Sequence, residues 1–534
     1  MNLNAIKHIY FLGIGGIGMS ALARYFHALG KTVSGYDRTA TKLTDRLIEE
    51  GIEIHFEDRG EAVLDLLDKE QTLVVRTPAV SQDFGELVAL HKNGFQVVKR
   101  AELLGIITQN SFGIGIAGTH GKTTTSTLLA HVLNQSIGCN AFLGGISSNY
   151  NSNLILNTAS DISVIEADEF DRSFLHLRPK AGVLTSIDAD HLDIYGDSQH
   201  IEAGFQAYID LIDTKGFLLL HDQIALDPKC EVIRYGLNAA SGITGFNLRI
   251  EGEKFLFDVR FDDALWSAVE LGIPGTHNAE NALAVIGVAQ KLGLSEAQIR
   301  AGLASFKGVK RRFEYIIRRD DLIYIDDYAH HPSEIAALLD SIQLIYPGKK
   351  ITGIFQPHLF SRTRDFMQEF AKELSRLDEL ILMPIYPARE QPILGITSEV
   401  LLEQINQSNA RVLSHKEVLR HLEQHPPEVL LTIGAGDIDL LVEPIQNLFN
   451  YVGHIDTAIS IASAKAILSY LNRNENIVIV ATHDIELADL LAQEYDLYHF
   501  TETVENKSLH FDHTIKSGQL KTRNAIKILE LSNY

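Results

Sequence analysis

Apolar runs of strand length alternate with amphipathic stretches of helical length along almost the whole chain. That pattern predicts an α/β fold built on mostly parallel sheets. Residues 9–12, 32–34, 73–75 and 96–98 read as strands of a first unit ending near Asn110. A second unit opens with the apolar run 112–117, passes through 164–165 and 182–187, and closes near Lys310. Inside it, residues 250–270 alternate apolar and polar positions, as antiparallel strands do. A third unit starts near Arg312, with strands at 322–325, 351–355, 379–383 and 429–433. The expected domains are 1–110, 111–311 and 312–450, followed by a tail at 451–534, without repeats or low-complexity linkers between them.

Composition narrows the partners. A length of 534 residues gives a prior of roughly three to four domains, each with its own core. The net charge of −22 argues against nucleic acid or an anionic membrane surface as the main partner, since both need basic patches. It leaves room for a small anion held by a local loop. Two cysteines, Cys139 and Cys230, make no disulfide framework and suit a reducing cytosol. The N-terminal residues lack the basic and apolar regions of a signal peptide, and no apolar run approaches the ~18 residues of a membrane span. The expected location is the cytoplasm.

Two glycine loops carry the chemistry. Gly118-Thr119-His120-Gly121-Lys122-Thr123-Thr124-Thr125 lies between the 112–117 strand and a helical run at 126–133. Strand, glycine turn, Lys-Thr and helix is the layout of a phosphate cradle. Backbone N–H groups face the anion, Lys122 reaches the β- and γ-phosphates, and the Thr123 hydroxyl can hold Mg²⁺. The general pattern asks for glycine six residues before the lysine, where this chain has Ile116. These residues predict use of a nucleoside triphosphate; the alternative is a chance Gly-Lys-Thr on a helix.

The other loop, Gly13-Ile14-Gly15-Gly16-Ile17-Gly18, follows the 9–12 strand and opens a helix at 19–29, with Asp37 at the end of the next strand. That is the dinucleotide-type arrangement, the glycines approaching a pyrophosphate and Asp37 a ribose hydroxyl. A ligand-free βα turn and a nicotinamide dehydrogenase are the competing readings. Two phosphate loops in one chain better suit a nucleotide-linked substrate at the first and ATP at the second.

Acids and histidines complete the set. Glu166-Ala167-Asp168-Glu169 ends a buried-looking strand, where a carboxylate beside the phosphate loop can hold Mg²⁺. His191, in Asp188-Ala189-Asp190-His191, is placed to ligate a second Mg²⁺ or contact a phosphoryl group. Gly275-Thr276-His277-Asn278-Ala279-Glu280-Asn281 reads as a helix start whose polar groups also suit caps.

With Arg311-Arg312-Phe313-Glu314 and Asp326-Asp327-Tyr328-Ala329-His330-His331-Pro332, these motifs resemble, in order over residues 1 to about 450, the Mur ligases. Those are the ATP-dependent amide-bond-forming enzymes of peptidoglycan assembly. The resemblance implies three domains: a Rossmann-like N-terminal one, a P-loop ATPase centre and a Rossmann-like C-terminal one. The Gly13–Ser20 loop, Phe355-Gln356-Pro357-His358 and Tyr386-Pro387-Ala388-Arg389-Glu390 are similar to members that act on UDP-N-acetylmuramate and L-alanine. A murein-tripeptide recycling ligase is the alternative, and a non-catalytic nucleotide-binding regulator a more distant one.

The resemblance implies that ATP and Mg²⁺ activate a carboxylate as an acyl phosphate, which an amine then attacks. It assigns Gly118, Thr119, His120, Gly121, Lys122, Thr123, Thr124, Asn278 and Asn281 to ATP, and Thr123, Glu166 and His191 to metal. Gly13, Gly15, Gly16, Gly18 and Asp37 take the UDP moiety. Arg312 and Asp327 complete the ATP site from the third domain, and Arg362 steadies the acyl phosphate or the amino-acid carboxylate. The expected state is a monomer or weak homodimer. Two positions depart from the family pattern: Leu359 stands where many relatives have a basic residue, and Ser186 where asparagine is common.

In the tail, residues 457–471, 477–481, Thr482-His483-Asp484 and 523–526 resemble the C-terminal end of MutS-type ATPase domains, without the Walker elements that precede it there. Residues 452–534 hold 7 basic and 11 acidic residues, so DNA binding is not expected. The tail is expected to be catalytically inert.

Overall fold

The computed structural model describes residues 3, 5–188, 198–237, 242–252, 254–261, 264–388, 390–406 and 408–450, and in the tail 465–466, 468–469, 485–505 and 508–517. Two compact units divide the chain, Met1–Val442 and Glu443–Tyr534.

The first unit is organised by three sheets. β1 (His8–Leu12), β2 (Thr32–Tyr36), β3 (Glu53–His55), β4 (Thr72–Arg76) and β5 (Gln96–Lys99) form a parallel sheet in the order β3-β2-β1-β4-β5. The order reverses at β1, so the Gly13–Gly18 loop opens at the switch point, where α/β sheets bind ligands.

The central sheet has ten strands. β6 (Phe112–Ala117), β7 (Asn140–Ser147), β8 (Ser152–Ile155), β9 (Ile162–Glu166), β10 (Ala181–Leu184), β11 (Phe217–His221) and β12 (Glu231–Gly236) are followed by β13 (Ile243–Glu251), β14 (Lys254–Arg260) and β15 (Leu265–Leu271). Their order is β15-β14-β13-β12-β11-β10-β6-β9-β7-β8. β6 lies between β9 and β10, parallel to both, with Ile116 opposite Glu166 and Val183. β13, β14 and β15 pair antiparallel, as the alternation predicts.

β16 (Glu314–Arg318), β17 (Ile323–Asp327), β18 (Ile351–Phe355), β19 (Glu379–Leu382), β20 (Ala410–Val412) and β21 (Val429–Ile433) make the third sheet, ordered β16-β17-β21-β18-β19-β20. All but the β16–β17 pair run parallel.

The cores follow the sheets unevenly. The helix Lys122–Asn134 is buried nearly all round and, with the helix Thr276–Lys291, covers one face of the central sheet. On the other face a single apolar cluster runs from Phe11, Leu22 and Leu103 of the first sheet to Phe174, Phe205 and Tyr208 of the central region. The first unit read from sequence is therefore not a separate ball; its inner helix Arg100–Gln109 shares a core with its neighbour. The third sheet has its own cluster around Ile325, Phe355 and Leu431.

One strand expectation needs correction: the run 182–187 stops being strand at Leu184. Thr185 and Ser186 turn toward the phosphate loop, where the Thr185 hydroxyl donates to Ala117 O at 3.1 Å.

In the second unit the helix Ile485–Leu491 sets Leu487 and Leu491 against Leu468 and Tyr495. β22 (Tyr498–Glu505) and β23 (Ser508–Ser517) form a hairpin. Most of the residues behind the expected MutS likeness, His483 and 523–526 included, lie outside the described residues.

Candidate active site

The ends of β9, β6 and β10 deliver the central site side by side. Ile116 is wholly buried in β6, so the loop begins two residues later, at Gly118. The missing sixth-position glycine thus reflects a longer strand and a shorter turn. Gly118 has φ +136° and lies against the Thr185 hydroxyl. At Gly121, with φ +80°, an added Cβ would sit 2.7 Å from Asn281 Oδ1. Both positions therefore require glycine. Ser186, the departure from asparagine, accepts from His120 N at 2.8 Å and meets Thr119 Oγ1 at 2.9 Å. Thr119 Oγ1 in turn accepts from Asp188 N at 3.0 Å.

Lys122 opens the helix with its ammonium turned back into the loop. Nζ donates to the carbonyls of Gly118 and Thr119 and pairs with Glu169 at 2.8 Å. Burial opposes its charge, but Glu169, Glu166 and Asp168 outweigh that and hold the lysine above its ordinary pKa. For Glu169 burial outweighs the lysine, and its carboxyl is pushed up to about 7. Thr123 Oγ1 donates to Glu166 Oε1 at 2.9 Å, and Gly144 N to the other oxygen at 2.9 Å. Burial raises the pKa of Glu166 against the pull of Lys122. Thr124 is buried at the foot of the loop. His191 lies outside the described residues, among which no group of three or more His, Cys, Asp or Glu side chains converges on a metal position.

A cleft of about 250 Å³ opens beside the loop, lined by His120, Thr124, Asn278, Asn281, Arg312 and Asp327 among others. Asn278 donates to Pro274 O at 2.7 Å, which fixes the helix start, and its side chain still borders the cleft. His277 is kept neutral by burial, its pKa pushed down to about 4. Arg312 lies 4.9 Å over the Tyr328 ring and 3.6 Å from Glu334. Its neighbours Arg311 and Phe313 have φ of +61° and +48°, conformations that cost non-glycine residues of order 1–3 kcal/mol. Asp327 secures this bend: it accepts from Phe313 N at 2.6 Å and Ala329 N at 2.8 Å. Glu334, which sequence reading passed over, enters the cleft from the helix Pro332–Ile345. Its only sequence signal is a capping box begun by a histidine.

A second cleft of about 190 Å³ joins Gly18 and Arg100 to Gly144, Glu166 and Asp168. It runs from the first glycine loop to Glu166, the carboxylate to which Thr123 of the phosphate loop donates. In the first glycine loop Gly15 N donates to Asp37 at 2.7 Å, bracing the turn against the end of β2. Gly13, with φ +87°, begins the turn, Gly16 caps the helix Ile17–Ala28, and Gly18 packs against Arg100.

Arg362 is 8% exposed and does not line the first cleft. It sits in the helix Phe360–Asp365, where Leu359, at φ +70°, provides the sharp start. One turn earlier, His358 stacks on Tyr386 at 5.8 Å and has its Nδ1 buried with no hydrogen-bond partner. Burial, His330 and Arg362 push its pKa down to about 4. Glu390 ties this region together by accepting from Ser361 N at 3.0 Å.

A phosphate loop between two clefts, each closed by a flanking domain, defines an enzyme class that activates one substrate with a triphosphate and couples it to another. Comparison with known proteins agrees. Residues 8–112 match the Mur ligase family, catalytic domain; residues 116–289 the Mur ligase middle domain; and residues 311–437 the Mur ligase, glutamate ligase domain. The UDP-N-acetylmuramate–L-alanine ligase of Flavobacterium johnsoniae is 47% identical over 451 residues, 84% of this chain and 99% of that protein. Among solved structures, the UDP-N-acetylmuramate–alanine ligase of Thermotoga maritima is 28% identical with a TM-score of 0.68, covering 83% of this chain and 99% of that one. A murein peptide ligase of Psychrobacter arcticus, 24% identical with a TM-score of 0.59 over 84% of this chain and 100% of that one, shares the fold. The chain belongs to the Mur ligase family. The likeness of its tail to MutS-type domains has no support in these matches, whose family domains end at residue 437.

Proposed function

We propose that this enzyme uses ATP to join L-alanine to the lactyl carboxylate of UDP-N-acetylmuramate, a step of peptidoglycan precursor assembly. The observation that carries this reading is the phosphate loop's position between the Gly18–Glu166 cleft and the Arg312–Asp327 cleft. The likeness to alanine-adding relatives supports the choice of substrates.

A carboxylate is a poor electrophile until phosphorylation supplies a leaving group. One carboxylate oxygen attacks the γ-phosphorus and ADP departs. The α-amino nitrogen of L-alanine then attacks the acyl carbon, the nitrogen loses a proton, and inorganic phosphate leaves with the C–O bonding pair. Transfer of this kind needs alignment and charge neutralisation more than covalent help from the protein.

In this reading Lys122 exchanges its contacts with the loop carbonyls and Glu169 for phosphate oxygens, as the loop N–H groups take the rest. Thr123 Oγ1 and Glu166 Oε1 are hard oxygen donors 2.9 Å apart, and a half-buried carboxylate on a cleft wall suits a cation. They would hold Mg²⁺, which would neutralise phosphate charge, and His191 would serve a second ion. Asn278, Asn281, Arg312 and Asp327 bound the nucleotide. The first glycine loop takes the UDP pyrophosphate, and Arg362 takes the alanine carboxylate or the acyl phosphate.

Phosphate release from ATP tests the proposal. It should require UDP-N-acetylmuramate and be fastest with L-alanine; glycine, L-serine and the murein tripeptide serve as competitors. Release without the muramate substrate would sink the ligase reading, and preference for the tripeptide would move it to the recycling branch.

A further inference from the structure

Glu334 joins parts of the molecule that the chemistry must bring together. It stands in the first turn of the helix Pro332–Ile345, and Oε2 accepts from His330 N at 2.9 Å and His331 N at 3.3 Å. That oxygen also lies 3.2 Å from His330 Nδ1. Oε1 points the other way, across to the phosphate loop. It is 3.3 Å from His120 Nδ1 and 3.6 Å from Arg312 Nη1. Ser333 Oγ adds a contact at 3.4 Å to His120 Nε2, and the His331 ring lies 5.4 Å from the His120 ring. Asp188, four residues past the end of β10, approaches His120 Nε2 at 3.5 Å.

This is an unusual place for a carboxylate. A negative charge beside a triphosphate site repels the ligand unless partners hold it, and here the Arg312 guanidinium and the imidazoles of His120 and His330 surround it. Burial by itself would raise the Glu334 pKa, yet His330 and His120 bring it well below the usual carboxylate range. Its helix-side oxygen is fixed by backbone N–H groups, so the loop-side oxygen has a defined position.

We infer that Glu334 is a positioning residue for the nucleotide reaction: it fastens the phosphate loop to the third domain through His120 and aligns Arg312 on the same oxygen. The inference rests on ATP occupying the Arg312–Asp327 cleft, as proposed above. The link makes the loop and the third domain one receptor, so that docking of this domain and the set of the phosphate cradle are coupled. Bonds to charged groups of this kind are worth more than neutral ones, and losing one in a buried site costs about tenfold or more in affinity.

The test compares Glu334→Gln with wild type. The amide oxygen still accepts from His330 N, so the helix start is kept and the melting temperature should stay near wild type. The dissociation constant of a non-hydrolysable ATP analogue, measured by calorimetry, should rise about tenfold. KM for ATP should rise with it, while KM for UDP-N-acetylmuramate stays within about twofold. His120→Gln reads the same contact from the loop side, and the double variant should cost clearly less than the two single losses together. A folded Glu334→Gln or His120→Gln protein with wild-type analogue affinity would overturn the inference, as would strict additivity. Because analogue binding needs neither muramate nor alanine, this result stands apart from the ligase assay: failure of the substrate reading would leave the affinity comparison intact.

Discussion

At the scale of single residues, the site is built from groups engaged with one another, each of which a substrate must displace or extend. Lys122 is the clearest case, since its ammonium already has two carbonyls and Glu169 for partners. Replacing Lys122 with Met leaves Glu169 buried without that cation and would remove the proposed phosphate contact. Muramate-dependent phosphate release should fall at least about a hundredfold, with circular dichroism unchanged; a loss under threefold would contradict the assigned role. Gly121 tests the loop in another way. Gly121→Ala places a Cβ against Asn281 Oδ1 in left-handed backbone, at a cost of about 1–2 kcal/mol, and should appear as weaker ATP binding in calorimetry.

At the scale of elements, the phosphate loop was legible because its residues are local: strand, two glycines, Lys-Thr and helix are consecutive. So were the antiparallel strands near 250–270 and the parallel runs ending at Ala117, Phe355 and Ile433, where burial on both faces leaves continuous apolar stretches. Among the strands that escaped notice, β7, β8 and β16 are edge or mixed strands, carrying glycine, asparagine or charge amid few apolar positions. The run 182–187 was read too long because hydrophobic pattern does not reveal that Thr185 and Ser186 serve the neighbouring loop. Glu334 was missed for a related reason: its partners His120 and Arg312 are far away in sequence, and only the fold brings them near.

The helix Lys122–Asn134 offers a pH test at the same scale. His131 is 1% exposed, bonded to Tyr150 and Ser305, and burial pushes its pKa down to about 4. Its contribution is complete above the unfolded value near 6.5 and fades as pH falls toward 4, because the unfolded chain then binds the proton. His131→Asn removes that titration. The stability gap between wild type and variant, followed by urea unfolding, should narrow by up to about 1.4 kcal/mol per pH unit over that window. Asp326, raised to about 6 by burial, and Glu169 titrate with the opposite sign. They are common to both proteins and cancel from the difference.

At the scale of the whole molecule, the three family domains do not equal three independent cores. Leu103, Leu104 and Ile107 of the Arg100–Gln109 helix belong to the same cluster as Phe174, Leu177 and Tyr208. A fragment of residues 1–110 should therefore give poorly dispersed amide NMR signals, while 1–310 should give a folded spectrum; a well-folded short fragment would contradict the shared core. The tail is tested by ending the chain after Asn450. Ligase turnover should remain within about twofold of the full-length enzyme, the spread expected for removing a segment outside the catalytic machinery. A large loss in a folded protein would assign the tail a catalytic part.

The common core of the first two domains also has a pharmacological meaning. A compound wedged between Arg100 and Glu166 meets walls joined by one hydrophobic interior, a receptor assembled before nucleotide arrives. One lodged against Arg312 meets a wall contributed by a domain with a separate core. The opening between Arg100 and Glu166 is therefore the one whose facing walls an inhibitor finds already joined by a common core.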